Sequence, residues 1–260
     1  MTFNQPLIMG VLNTTPDSFS DGGQFVTLET ALAQVQTMVA VGANIIDVGG
    51  ESTRPGAERV PVEEEQRRVI EVIRGIKSNY KILVSIDTMN AETAMAAITA
   101  GATIINDVSG GKNDPAIFNV AAETDKPIII SHWRGHSDQM DSLNQYESIG
   151  RDVASELSIQ VDKAKAAGVT KIVIDPGLGF AKDADQNWQL LDELDELEKL
   201  ELPILIGASR KRFIAARLKG EDTVEARDEA TAELMAALTK KHSLWGLRIH
   251  NVRATLARQN

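Results

Sequence analysis

Three segments of the chain repeat one design: Val41-Gly-Ala-Asn-Ile-Ile-Asp47, Ala100-Gly-Ala-Thr-Ile-Ile-Asn106 and Ala167-Gly-Val-Thr-Lys-Ile-Val-Ile-Asp175. In each, a helical stretch stops at a glycine, which accepts the left-handed backbone that ends a helix, and a short apolar run starts at once. The third copy carries one extra residue. Each run ends on a carboxylate or an amide. Strands that alternate this closely with helices must lie parallel, with the helices covering the sheet.

The rest of the chain keeps the rhythm. Runs rich in Ile and Val span Leu7–Val11, Asn44–Val48, Ile82–Ile86, Thr103–Val108, Pro127–Ser131, Lys171–Ile174, Pro203–Ile206 and Gly246–Ile249. They are continuous rather than alternating, as strands buried on both faces are. Between them, Leu28–Val41, Val62–Ile76, Ala91–Ala100, Pro115–Glu123, Ile149–Ala167, Gln186–Leu200 and Thr223–His242 carry apolar residues at three- and four-residue spacing, the mark of amphipathic helices. Asn90 and Asp114 are expected N-caps, with Pro115 opening the helix after Asp114. A short last helix is expected from Val252 to Asn260. The pattern predicts an α/β fold, a single (β/α)₈ barrel domain over residues 1–260. An open doubly wound sheet usually has a G-x-G-x-x-G turn after its first strand, and none is present.

Composition removes several functions. With 27 basic and 37 acidic residues the net charge is −10, which disfavours a nucleic-acid partner. The absence of cysteine excludes disulfides, thiolate zinc sites and cysteine nucleophiles. No apolar run approaches a membrane span. Met1 lies a few residues before the first strand, leaving no room for a signal peptide, so a cytoplasmic protein is expected.

A barrel gathers its chemistry at the C-terminal ends of its strands. Those ends read Asn13; Asp47 with Glu51; Asp87; Asn106 with Asp107; His132; Asp175; Ser209 with Lys211; Arg248 with His250. All eight carry polar or ionisable side chains, more than helix caps alone explain. Asp47 and Asp107 have neighbours that already supply a candidate. Asp87, Asn106 and Asp175 suit a flat heterocycle presenting several N–H groups, such as a guanine-like or pterin-like ring. The same set is also compatible with acid–base work or a metal. Lys211, Arg248 and His250 form a positive flank suited to phosphate or pyrophosphate, with a core histidine as the rival reading of His250.

Three loops have functional composition. The first strand empties into Asn13, Thr14, Thr15, Asp17, Ser18, Ser20 and Asp21, with Pro16 and Gly22-Gly23 as turn formers. Gly49-Gly-Glu-Ser-Thr-Arg-Pro-Gly56 places Arg54 where it would cover an anion. Asp175-Pro-Gly-Leu-Gly-Phe180 is a tight turn that sets Phe180 near the mouth, against a planar ring or as ordinary packing. Ser209-Arg-Lys-Arg212 opens a helix whose free N–H groups suit a carboxylate. Arg210 and Arg212 are expected on a solvated face, and His136 and His242 at the surface.

Seven stretches resemble dihydropteroate synthase, the folate-pathway enzyme inhibited by sulfonamides. They are Met9-Gly-Val-Leu-Asn-Thr-Thr-Pro-Asp-Ser-Phe-Ser-Asp-Gly-Gly23, Asp47-Val-Gly-Gly-Glu-Ser-Thr-Arg-Pro-Gly56, Ser85-Ile-Asp-Thr88, Ile105-Asn-Asp-Val-Ser-Gly110, Asp175-Pro-Gly-Leu-Gly-Phe180, Gly207-Ala-Ser-Arg-Lys211 and Arg248-Ile-His-Asn-Val252. The resemblance covers nearly the whole chain and implies a (β/α)₈ barrel. It implies a transferase in which the amine of 4-aminobenzoate displaces pyrophosphate from a dihydropterin-CH₂-diphosphate. Asp87, Asn106, Asp175 and Lys211 would then hold the pterin, beside Phe180 and Gly207. Asn13 would bind Mg²⁺ on the pyrophosphate, with Arg248, His250 and Thr53 as anion contacts. Ser209 would hold the aminobenzoate carboxylate. Thr14, Thr15, Phe19, Arg54 and Pro55 would belong to two loops over that substrate. The family also implies a homodimer.

Two features set this chain apart from many relatives. His132-Trp133-Arg134-Gly135 stands where they have His-Met-Gln-Gly, and it resembles the actinobacterial branch, with Trp133 expected to floor the pterin pocket. The second loop lacks the insertion of acquired sulfonamide-resistant relatives, so sensitivity is expected. A pterin-dependent methyltransferase and a silent pterin-binding paralogue are the rivals. The former has no need of the Ser-x-Lys and Arg-x-His pairs, and the latter would be favoured by damaged loops.

Overall fold

The structure is a computed structural model that describes residues 5–15, 27–51, 59–136, 140–218, 220 and 222–259. Its eight strands are β1 (Leu7–Asn13), β2 (Ile45–Gly49), β3 (Leu83–Asp87), β4 (Ile104–Asp107), β5 (Ile128–Ser131), β6 (Ile172–Asp175), β7 (Leu205–Ile206) and β8 (Gly246–Ile249). Every strand pair is parallel, in the order β6-β5-β4-β3-β2-β1-β8-β7. Among the described residues the ring closes between β6 and β7 through an isolated bridge, Ile174 to Ile204, in which Ile174 N donates to Pro203 O at 2.9 Å. The expected barrel is therefore present, with one lightly fastened join.

The helices are α1 (Leu28–Ala40), α2 (Val62–Asn79), α3 (Ala91–Ala100), α4 (Ile117–Glu123), α5 (Ile149–Ala166), α6 (Ala184–Asp192), α7 (Leu194–Glu198), α8 (Arg212–Ala215), α9 (Val224–Lys241) and α10 (Val252–Gln259). None is long and apolar enough to cross a membrane. The repeated glycines act as expected. Gly42, Gly101 and Gly168 take φ of 107°, 116° and 95°, a region that costs a residue with Cβ but not glycine.

Three expectations need correction. Asn90 precedes α3, but its side chain makes no cap bond and instead donates to the buried Glu65 on α2 at 2.9 Å. Asp114 Oδ2 caps α3 from outside, accepting from Ala91 N at 2.8 Å, and α4 starts only at Ile117, after a turn at Pro115. The stretch Gln186–Leu200 is two helices. A capping box between Asp183 and Gln186 starts α6 at Ala184, and Glu193 leaves helical geometry so that its carboxylate accepts from Gly150 N at 2.8 Å.

Two apolar layers hold the barrel. Inside it lie Met9, Ile45, Ile104, Ile129, Val173 and Leu205, while Leu12, Ile46, Val84, Ile86, Ile105, Ile130 and Ile174 pack outward against the helices. Each such side chain stabilises the fold by roughly 1.5–3 kcal/mol on burial. Strand alternation then dictates which polar residues face inward. Asp47 lies two residues beyond Ile45, Asn106 two beyond Ile104, and Asp175 two beyond Val173, so all three stand over the apolar plug. Asp107, one residue out of step, points away.

Candidate active site

The register sets the first half of the mouth. Asn13 pairs with Gly49, Gly49 with Asp87, and Asp87 with Asn106, giving one row across β1 to β4. Arg248 on β8 reaches across it. Its Nε donates to Asp47 Oδ2 and its Nη2 to Asp87 Oδ2, both at 2.6 Å. Asn106 Nδ2 donates to the same Asp47 oxygen at 3.1 Å. One guanidinium thus faces two buried carboxylates. Burial raises Asp87 to about 7 against the pull of Arg248, with the Asp47 charge adding to the rise. Asp47 Oδ1 is buried and has no partner among the described residues.

The second half is built on β6 and β7. Ser131 pairs with Asp175, whose Oδ1 accepts from Gly177 N at 2.7 Å. Lys211 Nζ donates to Leu178 O and sits 4.8 Å from the Phe180 ring centroid. A Cβ on Gly207 would lie 3.3 Å from Asp175 Oδ2 and 3.8 Å from Arg248 Cβ, so a bare backbone here leaves that carboxylate its room. Burial raises Asp175, while Lys211, the Gly177 amide and Arg248 pull it down. Burial also lowers Lys211 to about 8, which Asp175 opposes.

Around this centre, Thr14 bonds Gly49 O through both its amide (2.8 Å) and its hydroxyl (3.0 Å), and it is buried, as is Thr15. Ser209 Oγ accepts from His250 N at 3.1 Å and lies 3.0 Å from His250 Nδ1, so it orients that imidazole. Trp133 is half-buried, edge-on to His136 at 4.8 Å between centroids. Glu51 is ion-paired with Arg59 at 2.8 Å, and burial raises its pKa. Phe19, Thr53, Arg54 and Pro55 lie outside the described residues.

The sequence reading missed several side chains or misplaced them. Asp47 is a full member of the inner network, and only strand parity distinguishes it from Asp107. Asp107 accepts from Ser109 N, Ser109 Oγ and Gly111 N and shapes a turn. Arg210 is not simply solvated, since its Nε and Nη2 fork onto the buried Asp228 at 2.6 and 2.8 Å. His242 is 8% exposed, not on the surface, and its Nδ1 lies 2.9 Å from Glu198. His132 turns away from the mouth toward α5, with Nε2 at 3.1 Å from Glu156.

A family model described as "Pterin binding enzyme" matches residues 9–250. The dihydropteroate synthase of Streptococcus pyogenes is 49% identical over 250 residues, covering 95% of this chain and 91% of that protein. The chain belongs to the dihydropteroate synthase family. Among solved structures, the dihydropteroate synthase of Clostridium difficile in the presence of pteroic acid has TM-score 0.90 and 39% identity, covering 98% of this chain and 94% of its own. That of Xanthomonas albilineans with 4-aminobenzoic acid has TM-score 0.90 and 38% identity, covering 98% and 92%.

Proposed function

We propose that the chain condenses (7,8-dihydropterin-6-yl)methyl diphosphate with 4-aminobenzoate, giving 7,8-dihydropteroate and pyrophosphate. The observation that carries this reading is the convergence of Asp87, Asn106, Asp175 and Lys211 on one mouth, beside Arg248, in a chain 49% identical to a named dihydropteroate synthase over most of its length.

The chemistry follows from the charges. Ring N–H groups of the pterin donate to Asp87 and Asp175, and Asn106 and Lys211 donate to ring acceptors. The C–O bond of the diphosphate ester breaks with its electrons going to pyrophosphate, leaving positive charge on the methylene and the conjugated ring. Asp87 and Asp175 stabilise that charge in a site with little water. The aniline nitrogen forms the new C–N bond and then loses a proton. It needs no activated nucleophile. Arg248 and His250 face the departing anion, and Ser209, by orienting His250, serves the same end while it remains near the proposed carboxylate site. Thr14 and Thr15 line the start of the first loop, whose Phe19, with Thr53, Arg54 and Pro55 of the second, would complete the aminobenzoate side. Trp133 would floor the pterin pocket.

Magnesium fits the donor chemistry of the first strand end. Among the described residues no three His, Cys, Asp or Glu side chains form a metal cage. Asn13 instead offers one amide oxygen close to Gly49 and Asp87. A hard cation that keeps most of its water and takes the rest from a diphosphate needs little more. When bound there, Mg²⁺ would supply charge neutralisation for the leaving group.

The proposed partners are these small molecules and a second copy of the chain, with no nucleic acid or membrane. The homodimer rests on family analogy and the exposed face of α10. A monomer mass in light scattering overturns it. The cytoplasm is the proposed compartment, in keeping with the lack of cysteine. His132-Trp133-Arg134-Gly135 supports an actinobacterial-like branch, and the uninterrupted second loop supports sulfonamide sensitivity. Growth of a complemented strain at high sulfonamide would count against the latter.

The deciding experiment is product formation by purified protein with both substrates and Mg²⁺, with and without EDTA. Metal-dependent dihydropteroate supports the reading. Pterin binding without product returns the silent paralogue or the methyltransferase.

A further inference from the structure

We propose that Lys182, a residue with no place in the ligand set above, is the positioning residue for the pterin half of the site: its ammonium fixes the Asp175–Phe180 loop and so sets where Lys211 and Asp175 stand. This rests on the pterin-binding reading of the site.

Lys182 follows the loop and is only 8% exposed. Its Nζ lies 3.0 Å from Gly177 O, 3.1 Å from Phe180 O and 2.9 Å from His132 Nδ1. Three acceptors match the three N–H bonds of an ammonium. The carbonyl between them in sequence, Leu178 O, accepts from Lys211 Nζ on the other side. The buried Lys182 and the half-buried Lys211 therefore divide the carbonyls of one short turn, and moving the first moves the support of the second.

The histidine contact decides the protonation pattern. With Lys182 donating to Nδ1, the proton of His132 must sit on Nε2, where it donates to Glu156 at 3.1 Å. The reverse arrangement, a neutral amine accepting from Nδ1–H, would turn the bare Nε2 onto a carboxylate. Burial and Lys182 push His132 down to about 3, which keeps the ring neutral and able to accept; burial and Lys211 also push Lys182 well down, so it is the three acceptors around Nζ that hold its charge. Burial works against the charge of Glu156, yet bonds from His132 and Arg134 hold it at about 2. Arg134 in turn lies 3.8 Å over the Tyr146 ring, whose hydroxyl donates to Ala181 O at 3.0 Å. The chain of contacts thus leaves the loop at Lys182 and returns to it at Ala181. It also joins the β5 and β6 ends: His132 N donates to Asp175 O at 2.9 Å, and a Cβ on Gly177 would meet His132 O at 1.9 Å.

A buried cation spent on two main-chain carbonyls costs desolvation that an apolar residue would avoid, so a role in geometry accounts for it better than one in stability. The test is Lys182→Met, nearly isosteric and uncharged, with circular dichroism and thermal unfolding as controls for folding. Calorimetry with the dihydropterin diphosphate reads binding even without turnover, and steady-state kinetics read each KM. We expect the pterin Kd and KM to rise about tenfold or more, as a displaced substrate-positioning group does, with the 4-aminobenzoate KM held within about twofold. His132→Gln, which removes the acceptor at Nδ1 together with the donor to Glu156 and leaves the two carbonyl acceptors of Lys182 in place, moves the pterin constants in the same direction by about threefold and decides the matter if Lys182→Met does not fold. Unchanged pterin binding in a folded variant, or equal rises in both KM values, overturns the inference. Wild-type protein that binds the pterin but makes no product leaves the inference to calorimetry and removes only the proposed reaction.

Discussion

The two halves of the mouth solve opposite electrostatic problems. Across β2, β3 and β8, two carboxylates share one guanidinium, and the acid is the group under pressure: Asp87 is pushed up to about 7. Across β6 and β7, one carboxylate faces two lysines, Lys182 buried and Lys211 half-buried, and the cation is under pressure: Lys211 is pushed down to about 8. The strand module is the same in both halves. What differs is the charge brought to the carboxylates, Arg248 of β8 on one side and Lys211, just after β7, on the other. A symmetric scaffold thus yields an acid-rich and a base-rich wall, each with a group poised to change charge near neutrality.

Removing the single cation of the first wall is the harshest way to break the contrast. Arg248→Met leaves Asp47 and Asp87 buried without their partner, and we expect a loss of about 3–5 kcal/mol in denaturant unfolding. An unfolding midpoint equal to wild type would show that the guanidinium is dispensable to that wall. The next largest effect is on turnover. Lys211→Ala or Asp87→Ala should each lower kcat by roughly 10²-fold or more, the order seen when a positioned electrostatic group is lost. Near-wild-type rates in either variant refute the assignment of both walls to the pterin.

The pH profile sharpens the comparison with smaller changes. If ionised Asp87 and protonated Lys211 bind the pterin, kcat/KM should rise through about 7 and fall through about 8, a narrow bell. The acid limb can be tested separately. Asp47 raises Asp87, so Asp47→Asn should move that limb to lower pH and leave the alkaline limb in place. A fixed acid limb would detach Asp87 from it. The stability sign is opposite to that of an ordinary paired carboxylate. Between the unfolded value, about 4, and the folded value near 7, the native chain holds a proton that the unfolded chain has released. The stability this group contributes is therefore complete below about 4 and lost as pH rises through about 7.

Much of this was written in local pattern. The glycine that stops each helix, the Ile and Val run, and the polar residue at its end are legible because they depend on neighbours in sequence. Once a barrel is assumed, parity alone picks Asp47, Asn106 and Asp175 as inward and rejects Asp107. The partners are another matter. Arg248 and Asp47 are 201 residues apart, and no local signal links them. Lys182 carries no signal in its local sequence, and only the packed loop shows three acceptors around it. His242 looked solvated because its partner, Glu198, lies on a different helix. Burial depends on what the rest of the chain brings, and composition does not record that.

The join between β6 and β7 has a mechanical meaning. Seven sides of the ring are ladders, and among the described residues the eighth is one isolated bridge. Elastic compliance concentrates where restraints are fewest, so the circumference can lengthen there without disturbing any ladder. That eighth side lies between Asp175 and Gly207, where a Cβ on the glycine would come within 3.3 Å of the carboxylate. Amide exchange at Leu205 and Ile206 should accordingly outpace that at Ile45 and Ile46 in the unliganded chain, and a bound pterin should slow it. Such a difference in exchange would mark the barrel as less a rigid cup than a collet, with its give confined to one slit.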